Sequence, residues 1–208
     1  MEITNIDLIE SFAQGEVNLP LTNGSVGNCA SIGLIKASIE VFGLNNVFTL
    51  EKNDNNFQVT FKNNISVTFT EMELERSNEV ADFKLNETNP EKLILYKSIR
   101  DYAQIALCAM VKRVMEIGEA GDGIGDFENA LIALNDGANS PSLPEKLGLE
   151  DYNLQKGVFS GAKEKGMFGW FKGHTVYISQ GVRDNYGKVS TDTWRYPKKI
   201  KIVDYKVF

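Results

Sequence analysis

Between Cys29 and Gly43 the chain is apolar on almost every face of a helix. Ala30, Ile32, Leu34, Ile35, Ala37, Ile39, Val41 and Phe42 fill it, and Lys36 and Glu40 are its main polar positions. A helix with a single apolar stripe lies on a surface, whereas one that is apolar all round must be enclosed. The rest of the chain therefore has to supply walls for this segment. Gly43 is a natural stop for it, and the polar run 21–28 is a loop that opens directly onto its first turn.

The 208 residues are enough for one domain with a sizeable core that needs neither disulfides nor metal. A net charge of −6 argues against nucleic acid or an anionic membrane as the main partner. The run Lys198-Lys199-Ile200-Lys201 is too short for a basic patch and reads as a solvated strand face. No stretch reaches the roughly 18 consecutive apolar residues of a membrane span. The first residues carry acids where a secretory signal carries a positive region and an apolar core. The expected location is cytoplasmic, or outside the cell by a route without a Sec-type signal.

Residues 5–14 read as a short amphipathic helix. Three strand-like runs, Val47–Glu51, Phe57–Lys62 and Ile65–Thr70, follow the enclosed helix and are joined by Asn-rich turns suited to hairpins. Pro90 opens a long helical pattern that ends near Ile117. A Gly-rich loop, 118–125, leads to a shorter helix over 126–134 with Asp126 as N-cap, and 142–149 is a turn with a short helix. From Met167 onward the pattern alternates like strands, at Thr175–Ser179, Val189–Trp194 and Ile200–Val207. Helices first and strands last predict an α+β domain with a largely antiparallel sheet.

Two cysteines, Cys29 and Cys108, cannot build a disulfide framework and are expected as free thiols. Cys108 lies in a helix of core character and reads as a buried, inert thiol. Cys29 stands where the loop becomes the enclosed helix, so free N–H groups and the positive end of the helix dipole face its sulfur and favour thiolate. Gly24 and Gly27 allow the preceding backbone to bend and bring a substrate carbonyl close. The Cys29 N–H and the Asn23 carboxamide are candidate oxyanion donors. His174 is the only histidine in the chain, so any imidazole chemistry must use it. It opens a strand after Gly173, and Asp192 on the next strand-like run is a candidate to orient it, with Trp194 available to shield the pair from water. Gly24, Gly27, Trp170, Gly173 and Trp194 are candidate residues of the substrate cleft. One histidine and two distant cysteines give no zinc site, and the loop 119–126 lacks the spacing of a calcium loop. No metal or cofactor is expected.

The segment Asn23-Gly24-Ser25-Val26-Gly27-Asn28-Cys29 resembles the active-site motif of papain-like cysteine proteases, Gln-Gly-Ser-Cys-Gly-Ser-Cys, and its calpain form, Gln-Gly-x-x-Gly-Asp-Cys. Gly173-His174 resembles the Gly-His-Ala strand of calpains. Asp192-Thr193-Trp194 resembles the Asn-Ser-Trp or Asn-Pro-Trp that carries the third residue. The resemblance implies a papain-like two-lobe α+β fold within a single domain, 1–208. A helical lobe over about 1–165 would include a hairpin-rich insertion at about 46–75, and an antiparallel sheet lobe would cover about 166–208. It implies a peptide or protein substrate, cleaved through a Cys29 thioester with His174 as base. An amidase or deamidase effector, or an inactive papain-like binding domain, are the alternatives. The departures are Asn23 for Gln, one methylene shorter, Asp192 for Asn, Val26 for the motif's cysteine and Ala30 for the aromatic after the nucleophile. Oligomeric state is not legible in the sequence.

Overall fold

The computed structural model describes residues 3–15, 27–156 and 163–207. The fold is α+β, with antiparallel sheets. The first helix, α1 (Asn5–Ser11), starts with a reciprocal capping box. The Thr4 hydroxyl accepts from the Asp7 N–H at 3.1 Å, and the Asp7 carboxylate accepts from the Thr4 N–H at 3.0 Å. It ends earlier than the periodicity suggests because Phe12–Ala13 (β1) leaves the helix to pair with Lys84–Leu85 (β5). The enclosed helix is α2 (Cys29–Phe42), ended by Gly43 at φ +90°.

Next comes a three-stranded meander, β2 (Phe48–Asn53), β3 (Asn56–Phe61) and β4 (Ser66–Thr70), in that spatial order. Phe57, Val59, Phe61, Val67 and Phe69 are buried on its inner face, as alternation requires. β4 runs straight into α3 (Glu71–Ala81), whose Thr70–Glu73 capping box starts it. No helical pattern marks this stretch in the sequence. After a short 3₁₀ turn at Pro90–Lys92, α4 (Leu93–Ile117) crosses the molecule. Then come α5 (Phe127–Asn135), capped by Asp126 through the Asn129 N–H at 2.7 Å, and the short α6 (Leu143–Lys146).

The remaining strands form a six-stranded antiparallel sheet: β6 (Asn153–Lys156), β7 (Met167–Phe171), β8 (His174–Ser179), β9 (Val182–Asp184), β10 (Val189–Ser190) and β11 (Lys198–Ile202). Its order is β10-β9-β8-β7-β11-β6. β6 extends this sheet on the N-terminal side of residue 166, so the sheet draws on more of the chain than the expected C-terminal lobe. The expected strand Val189–Trp194 stops at Ser190, and Thr193–Arg195 is a 3₁₀ turn.

The walls that α2 needs are the sheet on one side and the other helices around it. One buried cluster includes Leu34, Ile35 and Ile39 of α2, Leu107 and Val111 of α4, and Phe168, Tyr177 and Ile200 of the sheet. Gly33 makes the close approach to the sheet possible. A Cβ there would lie 3.3 Å from the Phe168 Cβ and 3.4 Å from backbone atoms of Val176 and Tyr177. α2 therefore rests almost directly on the backbone of β8, and Cys29, one turn earlier, is carried to the start of that strand. No described helix is long and apolar enough to cross a membrane.

Candidate active site

Gly27 and Asn28 fix the start of α2. The Gly27 N–H donates to the Asn135 carbonyl at 2.5 Å, and the Gly27 carbonyl accepts from the Gly137 N–H at 3.1 Å. A Cβ at Gly27 would lie 2.7 Å from the Gly137 nitrogen, so the close pairing with the end of α5 demands glycine. Asn28 occupies the N-cap position, yet its side chain does not cap the helix. It is fully buried and donates to the Ala81 carbonyl at 2.8 Å and to Asn135 Oδ1 at 3.0 Å. The first amides of α2 thus have no side-chain cap and remain directed at whatever lies beyond Cys29. Asn23 and Gly24 lie outside the described residues.

Cys29 is partly buried. Burial pushes its thiol pKa up. The Thr175 amide, the amides of Ala30 and Cys29 itself, and the Thr175 hydroxyl pull the other way without overcoming it. The sulfur lies in a narrow cleft whose walls include Gln14, Ile32, His174, Asp184 and Tyr186. The space there is about 20 Å³, room for one water.

His174 lines the same cleft. Successive β8 side chains alternate between the two sheet faces. Tyr177 joins the main core, and Ser179 donates to Glu40 of α2, so the face of Thr175, Tyr177 and Ser179 is the one under the helix. Val176 and Ile178 face the other way, into a cluster with Met167 and Tyr196. His174 follows that second set. Its ring meets Tyr196 edge-on at 6.2 Å and stacks on Tyr186 at 5.0 Å. Among the described residues Nε2 is buried without a hydrogen-bond partner. Burial lowers the imidazole pKa, the Arg183 charge adds to that, and Asp184 opposes it. Thr175, the next residue along, is the one that the strand presents to Cys29.

The expected bond from His174 to Asp192 is not made. Asp192 accepts instead from Arg183 Nε at 2.6 Å, from the Ser190 hydroxyl and from Arg195 Nε at 2.9 Å. Charge-assisted bonds to two guanidinium groups are stronger than one to a neutral imidazole. Arg183 first, then Ser190, holds this carboxyl well below the usual carboxylate range. Trp194 does not shield the pair either. It is 76% exposed, with the Arg195 guanidinium 5.6 Å from its ring centre. The 3₁₀ turn that replaces the expected strand is what carries it outward.

Two other expected cleft residues, Trp170 and Gly173, lie beside the start of β8 and are not among the residues that line this cleft. Trp170 pairs in register with Thr175 on the neighbouring strand and packs against Phe168. Gly173, at φ +79°, forms with Lys172, at φ +49°, the two-residue turn between β7 and β8 that sets where His174 begins. Gln14, Thr175 and Tyr186 line the same cleft without a signal in the sequence, and Lys36 pairs with Asp184 at 2.6 Å. Only Lys36 gave a signal, as a charge inside an enclosed helix. Among the described residues no three His, Cys, Asp or Glu side chains gather as a metal site. Compared with known proteins, the chain matches no family model, no curated protein and no solved structure.

Proposed function

We propose that the chain is a cysteine-dependent hydrolase of papain-like, two-lobed design, with Cys29 as nucleophile and His174 as base, acting on peptide bonds. The observation that carries this reading is one cleft lined by a cysteine at a helix N-terminus and by the chain's only histidine. Thiolate at Cys29 attacks an amide carbonyl. The developing oxyanion is met by the Cys29 N–H and by the carboxamide of Gln14, which lines the same cleft. His174 passes its proton to the leaving amine, and water then hydrolyses the thioester. In the conformation described, the ring rests on Tyr186 and the cleft has room for about one water. Catalysis on this reading requires the cleft to open enough to admit a peptide while the imidazole, held by Tyr186, stays beside the sulfur. The pair works as a dyad, because Asp192 is committed to Arg183 and Arg195. The compartment that fits a free thiol at this position is a reducing one.

The test is alkylation of Cys29 by iodoacetamide across the pH range, in wild type and in His174→Ala. The expected result is a rate at neutral pH above that of an ordinary free thiol, lost when His174 is removed. A rate no higher than a free thiol, and insensitive to His174, sinks the proposal. Peptide libraries set against small primary amides then separate a peptidase from an amidase or deamidase.

A second reading, a papain-like domain that binds partners without catalysis, is favoured by one observation. The thiol is raised by burial, and the His174 ring packs against Tyr186 and Tyr196. It predicts the second outcome of the alkylation experiment, together with unaltered partner binding in Cys29→Ala.

A further inference from the structure

Lys36 is fully buried on α2, two turns from Cys29, with Gly33 between them. Spacings of four and seven place all three on one helix face, the face that rests on β8. Each proton of its ammonium has an acceptor: the Ile9 carbonyl at 3.1 Å, the Phe12 carbonyl at 2.7 Å and Asp184 Oδ2 at 2.6 Å. The Phe12 ring lies beneath it, 4.4 Å from Nζ. Burial pushes this ammonium's pKa down, and Asp184 opposes that shift. A buried charge persists only when it is paired and fully hydrogen-bonded, and here it is both.

Such a pair is weak evidence for stability, since apolar side chains of similar volume often serve as well. What apolar side chains do not supply is direction. Asp184 uses its second oxygen to accept from the Gly187 N–H at 2.7 Å, inside the turn between β9 and β10. Asn185 and Lys188 close that turn with backbone bonds of 2.8 and 3.2 Å. Tyr186 stands at its tip with φ +53°, and its ring is the one that stacks on His174.

We infer that Lys36 is a positioning residue: through Asp184 it locks the β9–β10 turn to the helix that carries Cys29, and so holds Tyr186 against the His174 ring. The imidazole is thereby referenced to the helix of the thiol rather than to its own strand alone. The geometry stands apart from the proposed chemistry, and only the alkylation arm of the test below rests on that reading.

The experiment follows the imidazole proton resonances of His174, unique in the chain and expected upfield because the Tyr186 ring stacks on the imidazole. Tyr186→Leu defines their unstacked position. In the double variant Lys36→Met/Asp184→Leu, which removes both charges together, the protein is expected to unfold cooperatively as wild type does. Its His174 resonances are expected to move downfield to the Tyr186→Leu position. A folded double variant with wild-type resonances overturns the inference, because the pair then only fills space. If the double variant does not fold, Asp184→Asn decides. It keeps the shape and the acceptor for Gly187 while weakening the hold of Lys36, so the resonances shift in the same direction, and unchanged resonances reject the inference. In parallel, iodoacetamide rates at Cys29 are compared between each variant and its His174→Ala counterpart. Loss of the dependence on His174 in the Lys36 and Asp184 variants supports positioning. If wild type itself shows no such dependence, the proposed chemistry fails, and the resonances still decide the role of Lys36.

Discussion

The hydroxyl of Thr175 is a polar side-chain group beside the Cys29 sulfur, and it shares a 2.8 Å hydrogen bond with the Ser140 hydroxyl. Its neighbourhood favours thiolate, against the larger effect of burial. Thr175→Val removes that help while keeping the β-branched shape. The pH profile of Cys29 alkylation is expected to move to higher pH. The Ser140 hydroxyl, left buried without its partner, is expected to cost about 1–3 kcal/mol in urea denaturation. An unchanged alkylation profile would show that the hydroxyl does not act on the sulfur.

Asp192 gives a prediction of the opposite kind. If it oriented His174, Asp192→Asn would alter every reaction that depends on the imidazole. Because its oxygens are held by Arg183, Ser190 and Arg195, Asp192→Asn is expected to leave the Cys29 alkylation profile unchanged. Its effect belongs to the segment around Ser190–Arg195, measured as faster amide hydrogen exchange there. The sign of the acid dependence also follows. A carboxyl lowered in the folded state contributes stability above its unfolded pKa of about 3.9 and loses it as pH falls through the folded value. The ¹³C carboxyl resonance of Asp192 should therefore stay ionised through the range where ordinary carboxylates titrate.

These two residues also show where the sequence was legible. The apolar girth of 29–43 marked a helix that had to be enclosed, and α2 is enclosed. The Gly-rich approach to Cys29 marked the start of that helix, and Gly27 proves to be a close backbone contact. Alternation marked β8. It could not say which of His174 and Thr175 would face α2, since a register change of one residue exchanges every side chain between faces. Nor could it show that Asp192 had two guanidinium groups within reach, because Arg183 comes from a neighbouring strand and Arg195 from a 3₁₀ turn that runs just past the expected strand Val189–Trp194. α3 went unseen because Glu71–Ala81 is strongly polar, with Ser77, Val80 and Ala81 as its buried residues. Lys36 was visible as an odd charge, but its partner is 148 residues away.

Gly27→Ala tests the clamp that places Cys29. The added methyl would meet the backbone at 2.7 Å from Gly137 N and 3.2 Å from Asn135 O, and neither atom can step aside as a side chain could. Overpacking of this kind costs about 1–3 kcal/mol. The variant is expected to lose stability by that amount in denaturation. It should also exchange the Gly27 and Gly137 amides faster, since both bonds of the clamp must lengthen. Wild-type exchange at both amides would show that the backbone there yields without strain.

Cys108 supports a prediction about alkaline pH. It is fully buried on α4, and burial first, then the negative charge of Glu73, pushes its thiol well up; Lys112 and Ser77 oppose that shift. In the unfolded chain a thiol ionises near pH 8.5. The unfolded state therefore releases this proton first as pH rises. The stability that the neutral thiol contributes is complete below that pH and is lost as pH climbs toward the folded value, at about 1.4 kcal/mol per pH unit once the unfolded thiol is ionised. Lys36, lowered by burial, acts in the opposite sense, and Tyr96, Tyr102 and Tyr177, all raised, add to the loss at higher pH. Taking the difference between wild type and Cys108→Ala cancels those contributions and that of Cys29. The expected outcome, in urea titrations under reducing conditions, is a wild-type stability that declines more steeply than the variant's above about pH 8.5. Parallel slopes would mean that the Cys108 thiol ionises in the folded protein as readily as in the open chain, and that the burial seen on α4 does not hold in solution.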